Sequence, residues 1–171
     1  MGTKMVFVTV GTTSFDDMVV AVDADEVRTI LKEKGYDKIL FQIGRGTYEP
    51  RALNGTLSTS FYRFNAAYKD DIRRASLVIS HAGAGSIMDT LVERKHLIVI
   101  PNSQLMDNHQ EELAGALAER HHLVATTCTL LASCLKAVDL NTLEPYPDVD
   151  EAAFPSFVDS VVHPPQHSKQ A

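Results

Sequence analysis

The sequence predicts a doubly wound α/β fold, one parallel sheet with helices packed on both faces. Three observations carry that expectation. Short apolar, β-branched runs alternate along the chain with stretches of helical spacing. The runs are continuously apolar rather than alternating, the pattern of strands covered on both sides. Glycine turns follow three of them, at Gly11-Thr-Thr-Ser14, Gly44-Arg-Gly46 and Gly83-Ala-Gly85. Six runs fit the strand order 3-2-1-4-5-6, with a ligand crevice beyond the carboxyl ends of strands one and four.

Taken in order, residues 5–10 are a buried first strand. A helix follows, with Phe15, Met18, Val19 and Val22 at helical spacing and Ser14 or Asp16 as its cap. It breaks near Asp23-Ala-Asp25, resumes through Val27, Ile30 and Leu31, and ends at Gly35. Residues 38–43 form the second strand. Residues 47–60, with Pro50 and Gly55 and no sustained period, read as a long surface loop and a place for local disorder. Residues 61–64 are a short third strand and 68–75 a polar helix.

Residues 77–79 are the fourth strand, and a helix begins near Ser86 with Ile87, Met88, Leu91 and Val92 turned inward. A fifth strand over 97–100 is stopped by Pro101. The next helix runs from about Asp107 to His121, with Leu113, Ala114, Leu117 and Ala118 on one face. His121 and His122 fall at its end, favourably placed for the dipole, and are assigned no chemistry. Residues 123–127 are a sixth strand and 130–138 a helix. Phe154, Phe157, Val158 and Val161 recur at helical spacing and predict a last helix near 154–162. Residues 163–171 read as a disordered tail. Residues 1–162 are therefore expected to form a single domain.

Composition narrows the partners. The 171 residues carry a formal net charge of −6, which argues against nucleic acid or an anionic membrane surface as the main partner. A nucleotide is not excluded, since it needs only a local nest of N–H groups. Cys128 and Cys134 match no common zinc spacing and read as reduced thiols in a cytosolic protein. The first residues lack the features of a signal peptide, and Met5 stands where myristoylation expects Ser or Thr. No run approaches the length of a membrane span, so no direct membrane insertion is expected.

Three sets of residues carry chemistry. In Ser80-His-Ala-Gly-Ala-Gly-Ser86 a strand passes through small residues into a helix whose first N–H groups and dipole form a phosphate seat. Asp89, three residues beyond Ser86, projects from nearly the same helix face and suits a ribose diol. The turn of residues 11–14 would face the same crevice. The third set, Leu105-Met-Asp-Asn-His-Gln110, is either a helix cap or a group of donors and acceptors suited to sugar hydroxyls. A dehydrogenase is disfavoured, because the first turn is not Gly-x-Gly-x-x-Gly and no acid closes the second strand. There is no Gly-Lys-Ser/Thr of a P-loop, and adjacent Ser80 and His81 do not build a triad.

Val8-Thr-Val-Gly-Thr-Thr13, Gln42-Ile-Gly-Arg-Gly46, Ser80 to Ser86 and Leu105 to Gln110 together resemble the Rossmann-like donor-binding half, the C-terminal half, of GT-B glycosyltransferases. The branch is the one that contains the bacterial lipid-linked peptidoglycan GlcNAc transferase (family 28 type). Within it the chain is most similar to the small catalytic subunits of eukaryotic transferases that add the second GlcNAc to dolichol-diphosphate-GlcNAc, in asparagine-linked glycosylation. The likeness spans about residues 5–162, with 47–60 and the tail as departures. Asp89 also stands where many wider relatives have Glu.

The resemblance implies roles by position. Gly83, Ala84, Gly85 and Ser86 would hold the UDP diphosphate, with Asp89 on the ribose. Asn108, His109 and Gln110 would meet the GlcNAc hydroxyls, and Gly11, Thr12 and Thr13 would border the phosphate or the acceptor side. Arg45 is either a charge partner of the leaving diphosphate or a solvated loop residue. His81 and His109 are the candidate catalytic groups, and no metal or other cofactor is expected. The implied reaction is inverting transfer from UDP-GlcNAc to a dolichol-linked GlcNAc. Such an enzyme needs a second, membrane-anchored subunit for the acceptor, with the helix near 154–162 as docking element. The chain would then be cytoplasmic and recruited to the cytosolic face of the endoplasmic reticulum. A non-catalytic UDP-sugar-binding module and an inactive scaffold copy are the alternatives.

Overall fold

The computed structural model describes residues 2–55, 57–102 and 108–148, with the side chains of Asn108 and His109 set aside. Six strands form one parallel sheet: β1 Met5–Thr9, β2 Lys38–Gln42, β3 Ser58–Tyr62, β4 Leu77–His81, β5 His96–Ile100 and β6 Val124–Ala125. Their order is β3-β2-β1-β4-β5-β6, as the sequence predicts. Helices α1 Asp16–Asp23, α2 Asp25–Glu33, α3 Tyr68–Arg74, α4 Ala84–Val92, α5 Asn108–Glu119 and α6 Leu131–Ala137 cover the two faces.

Alternation along each buried strand feeds two cores. Val6 and Val8 of β1 pack with Met18, Val22, Leu31 and Leu135 of α1, α2 and α6. Met5 and Phe7 point the other way, onto Ile72, Ile87, Leu91 and Leu117 of α3, α4 and α5. Both sets of side chains are apolar, which is why the strands read as unbroken apolar runs. Extended Ala24 separates α1 from α2 (φ −62°, ψ 142°). Gly35 takes the left-handed conformation after α2 (φ +82°), and the Tyr36 amide donates back to the Leu31 carbonyl at 3.1 Å.

Several expectations need correction. The third strand lies at Ser58–Tyr62 rather than 61–64, because Ser58 pairs with Lys38 and Tyr62 with Gln42 along β2. As an edge strand it tolerates polar Ser58 and Ser60, so its start carries no apolar signal. The described part of the loop expected to be disordered is fastened down: Tyr48 Oη and the Arg51 amide both donate to the buried Asp23 carboxylate, at 2.7 and 3.1 Å. Neither Ser14 nor Asp16 caps α1; Phe15 precedes it with no side-chain cap. Asp16 instead accepts from the Thr47 hydroxyl at 2.6 Å and from the Thr47 and Tyr48 amides. Those donors, the hydroxyl foremost, hold its carboxyl below the usual carboxylate range. Val92 is exposed rather than inward, because Leu91 and Ile87 already fill that side of α4. The expected helix near 154–162, with Phe154, Phe157, Val158 and Val161, and the tail lie outside the described residues.

Candidate functional site

β1 and β4 lie side by side at the centre of the sheet, and the chain leaves them for helices on opposite faces. Their carboxyl ends therefore open a crevice, the place where this topology receives ligands. A cleft of about 410 Å³ occupies it. Gly11 and Thr12 form one wall, and His81, Gly83, Gly85 and Ser86 form another. Gln42 contributes from the end of β2, and Phe64, Asn65, Ala66 and Tyr68 close the side beyond β3.

Helix α4 begins at Ala84, two residues earlier than expected, with Gly83 before it. Its first backbone bond runs from the Ile87 amide to the Gly83 carbonyl at 3.0 Å. The amides of Ala84, Gly85 and Ser86 therefore have no intrahelical acceptor, and no side chain caps them. They sit at the positive end of the helix dipole and beside the cleft, an arrangement that seats an anion. Gly85 stands in open space, where an added side chain would meet no protein atom within 4 Å. A bare backbone there leaves room for a ligand.

His81 turns inward and forms the floor. It is 9% exposed, with Nδ1 lying 3.4 Å from the Thr9 carbonyl. That carbonyl can only accept, so Nδ1 carries the proton and Nε2 is left as an acceptor. Burial pushes the imidazole below its ordinary value, so the ring is neutral near pH 7. Glycines are required around it: a Cβ on Gly83 would stand 2.3 Å from Nε2, and one on Gly11 2.9 Å from Cε1. Gly11 also has a positive φ of 64°. Its amide donates to Thr9 Oγ1 at 2.9 Å, and Thr9 in turn donates to Gln42 Oε1 at 2.7 Å. The neighbouring Ser80 hydroxyl is buried and donates to the His81 carbonyl, which leaves it no nucleophilic role.

The other expected residues divide. Ala84 is exposed at the helix start but lies outside the cleft lining. Thr13 also lies outside the lining, its carbonyl accepting from the Arg45 amide at 2.9 Å. The Arg45 side chain is exposed beside that turn. Asp89 lies next to the cleft, behind Tyr68, which donates to its Oδ2; Lys69 Nζ donates to its Oδ1 at 2.8 Å. Burial opposes ionisation of Asp89, but these two donors prevail and hold the carboxyl low. Asn108, His109 and Gln110 open α5, which follows β5 on the far side of β4.

Sequence reasoning missed the wall beyond β3. Phe64 is 55% exposed, an unusual placement for a large apolar ring, and it lines the cleft beside Asn65. The available signal is an aromatic residue two positions past a strand's carboxyl end, hidden because residues 61–64 read as the strand itself. A second hollow of about 530 Å³ lies past the carboxyl ends of β5 and β6, bordered by Phe15, Asp17, Asn102, Glu111 and Thr127. It offers carboxylates and hydroxyls and no described cation, which suits neutral polyols better than phosphates.

Comparison with known proteins agrees with this geometry. The glycosyltransferase family 28 C-terminal domain matches residues 5–162. The UDP-N-acetylglucosamine transferase subunit ALG13 of Homo sapiens is 46% identical over 129 residues, covering 75% of this chain. The chain spans only 11% of that human relative's length. The subunit of the same name from Yarrowia lipolytica is 34% identical over 167 residues, covering 94% of this chain and 85% of its own. A solution NMR structure of ALG13 superposes with a TM-score of 0.65 at 30% identity, covering 94% of this chain and 96% of that one. By the extent of that match, over residues 5–162, the chain belongs to the glycosyltransferase family 28 C-terminal domain family.

Proposed function

We propose that this chain is the donor-binding, catalytic subunit of a UDP-GlcNAc transferase acting on dolichol-diphosphate-GlcNAc. The observation that carries the reading is the convergence of the unpaired α4 amides, His81 and the turn at Gly11 on one crevice. The relatives' names add the donor and the word subunit. The diphosphate is assigned to the amides of Ala84, Gly85 and Ser86, the ribose to Asp89, and the base to the exposed face of Phe64 beside Asn65. Ring stacking and amide hydrogen bonds suit a pyrimidine there. The sugar extends toward Asn108, His109 and Gln110 at the start of α5.

In transfer, the bond from the anomeric carbon to the β-phosphate oxygen breaks as the acceptor hydroxyl attacks from the opposite face, with inversion. Negative charge grows on the departing UDP, and the α4 amides are already aimed at it. Charge accumulating beside His81 raises the imidazole's affinity for a proton, so the ring is suited to pair with the leaving diphosphate. Arg45, exposed beside the turn at Thr13, is the candidate for a second cation. The described cleft lining holds no carboxylate. The base for the acceptor hydroxyl is therefore assigned to a second, membrane-anchored subunit, which also holds the acceptor at the cytosolic face of the endoplasmic reticulum. Among the described residues no helix is long and apolar enough to cross a membrane.

Radiolabelled transfer from UDP-GlcNAc to a dolichol-type acceptor, with and without the second subunit, tests the proposal. The expected outcome is UDP binding by the chain alone and transfer only with both. UDP binding with no transfer in either case would make the chain a non-catalytic UDP-sugar-binding module. Absence of UDP binding would leave only a scaffold.

A further inference from the structure

We infer that Tyr68 and Lys69 are positioning residues for nucleotide recognition, fixing the Asp89 carboxylate in the plane that accepts from a ribose diol. The inference rests on the assignment of the ribose to Asp89 made above.

Asp89 projects from α4, while Tyr68 and Lys69 are the first two residues of α3, 21 and 20 positions earlier in the chain. The two donors take different oxygens of the carboxylate: Tyr68 Oη donates to Oδ2, and Lys69 Nζ to Oδ1 at 2.8 Å. One contact on each oxygen fixes both the position and the plane of the group, which a single contact would not. An ionised carboxylate offers about four acceptor positions. Each oxygen therefore keeps capacity for a ribose hydroxyl, and the Asp89 side chain remains 24% exposed. Tyr68 also lines the nucleotide crevice with its own side chain. It thus connects the wall beside Phe64 to the acid on the neighbouring helix.

The two donors differ in what they add. The Tyr68 phenol is pushed up to about 12, by burial first and by the adjoining Asp89 carboxylate second. It stays protonated, and stays a donor, throughout the physiological range. Lys69 supplies a positive charge beside Asp89. Without it the acid would stand unbalanced close to the seat of a diphosphate, where like charges repel. Its side chain is 54% exposed, so that contribution is screened by salt whereas the contribution of Tyr68 is not.

Calorimetric titration of the full chain with UDP and with 2′-deoxy-UDP reads this directly, because only UDP carries the complete diol. Wild type, Asp89→Asn, Tyr68→Phe and Lys69→Gln are compared, with thermal melting as the control for folding. The wild type is expected to prefer UDP and Asp89→Asn to lose that preference. Tyr68→Phe should reduce the preference about three- to tenfold, the range of one net hydrogen bond. Its affinity for 2′-deoxy-UDP should hold. Lys69→Gln should weaken UDP binding at low salt and approach wild type at high salt.

An unchanged preference in Tyr68→Phe, with Asp89→Asn having lost it, overturns the positioning role and leaves the ribose contact standing. Equal losses for both nucleotides in Tyr68→Phe also overturn it, since a merely structural role predicts that result. Should Asp89→Asn keep the wild-type preference, the ribose assignment itself falls.

Discussion

Glycine does two different jobs on either side of Ala84. At Gly83 a methyl group would stand 2.3 Å from the His81 ring, which the Thr9 carbonyl and Gly11 already confine. At Gly85 the same methyl would meet nothing within 4 Å. Gly83→Ala should therefore destabilise the fold by about 1–3 kcal/mol, the usual range for overpacking a filled site. Gly85→Leu should leave the unfolding free energy within about 0.5 kcal/mol of wild type and abolish UDP binding. Urea unfolding and calorimetry separate the two. His81 itself gives a pH signature. Its folded pKa lies below the ordinary 6.5 because burial disfavours the imidazolium. The unfolded chain thus takes up a proton near that value which the folded chain refuses until lower pH. The contribution is complete above the ordinary value and is lost as pH falls toward the folded one. Urea midpoints measured from about pH 7.5 down to about pH 5 should fall less steeply in His81→Asn than in wild type. Part of the slope should remain, because His96 is also lowered by burial. The Gly-x-Gly pattern was legible in the sequence, but not which glycine serves the ring and which the ligand. That division depends on where His81 points.

Asp23 shows the same limit at the level of elements. The sequence marks Asp23-Ala-Asp25 as a helix break, and the structure has it there. Nothing local reveals that Asp23 is 1% exposed and ties three elements together. Arg28 Nη1 donates to its Oδ1 at 2.6 Å, while Arg28 Nη2 reaches Thr59 Oγ1 on β3 at 2.6 Å. Tyr48 and Arg51, 25 and 28 positions away, donate to its other oxygen. The segment after β2 is thereby fixed against α1, and through the Arg45 amide it supports Thr13 in the turn beside the crevice. Asp23→Ala would leave Arg28 buried at 8% side-chain exposure with its ionic partner gone. The expected cost is about 3–5 kcal/mol, the range for a broken buried pair, measured by chemical denaturation. Charges on distant elements carry no periodic signal, so residues 47–60 read from sequence as an unanchored loop.

At the scale of the molecule, charge and topology act separately. A net charge of −6 says little about the crevice, whose described lining carries no acid and no permanent cation. The groups proposed to attract an anion there are backbone amides and one helix dipole, which are invisible in a count of charged residues. The strand order brings residues 11–14 and 80–86 to one edge although about 70 positions separate them. This arrangement places the proposed donor contacts in one chain. The transfer assay should accordingly give UDP binding without the second subunit and no product until it is added.

The sequence by itself determined the parallel, doubly wound sheet, the position of its switch point and the family. The sheet and its switch point follow from local order: apolar runs, their spacing, and small-residue turns at strand ends; the family follows from the resemblance of the motifs at 8–13, 42–46, 80–86 and 105–110. Tertiary structure alone decided which glycines confine the His81 ring, the wall at Phe64, the anchoring of the segment after β2 and the pairing of Tyr68 and Lys69 with Asp89. The seat between β1 and β4 is legible because backbone turns and a helix start write themselves into glycine and serine. Its lining is not, because it depends on which residues distant in the chain become neighbours once the sheet has closed.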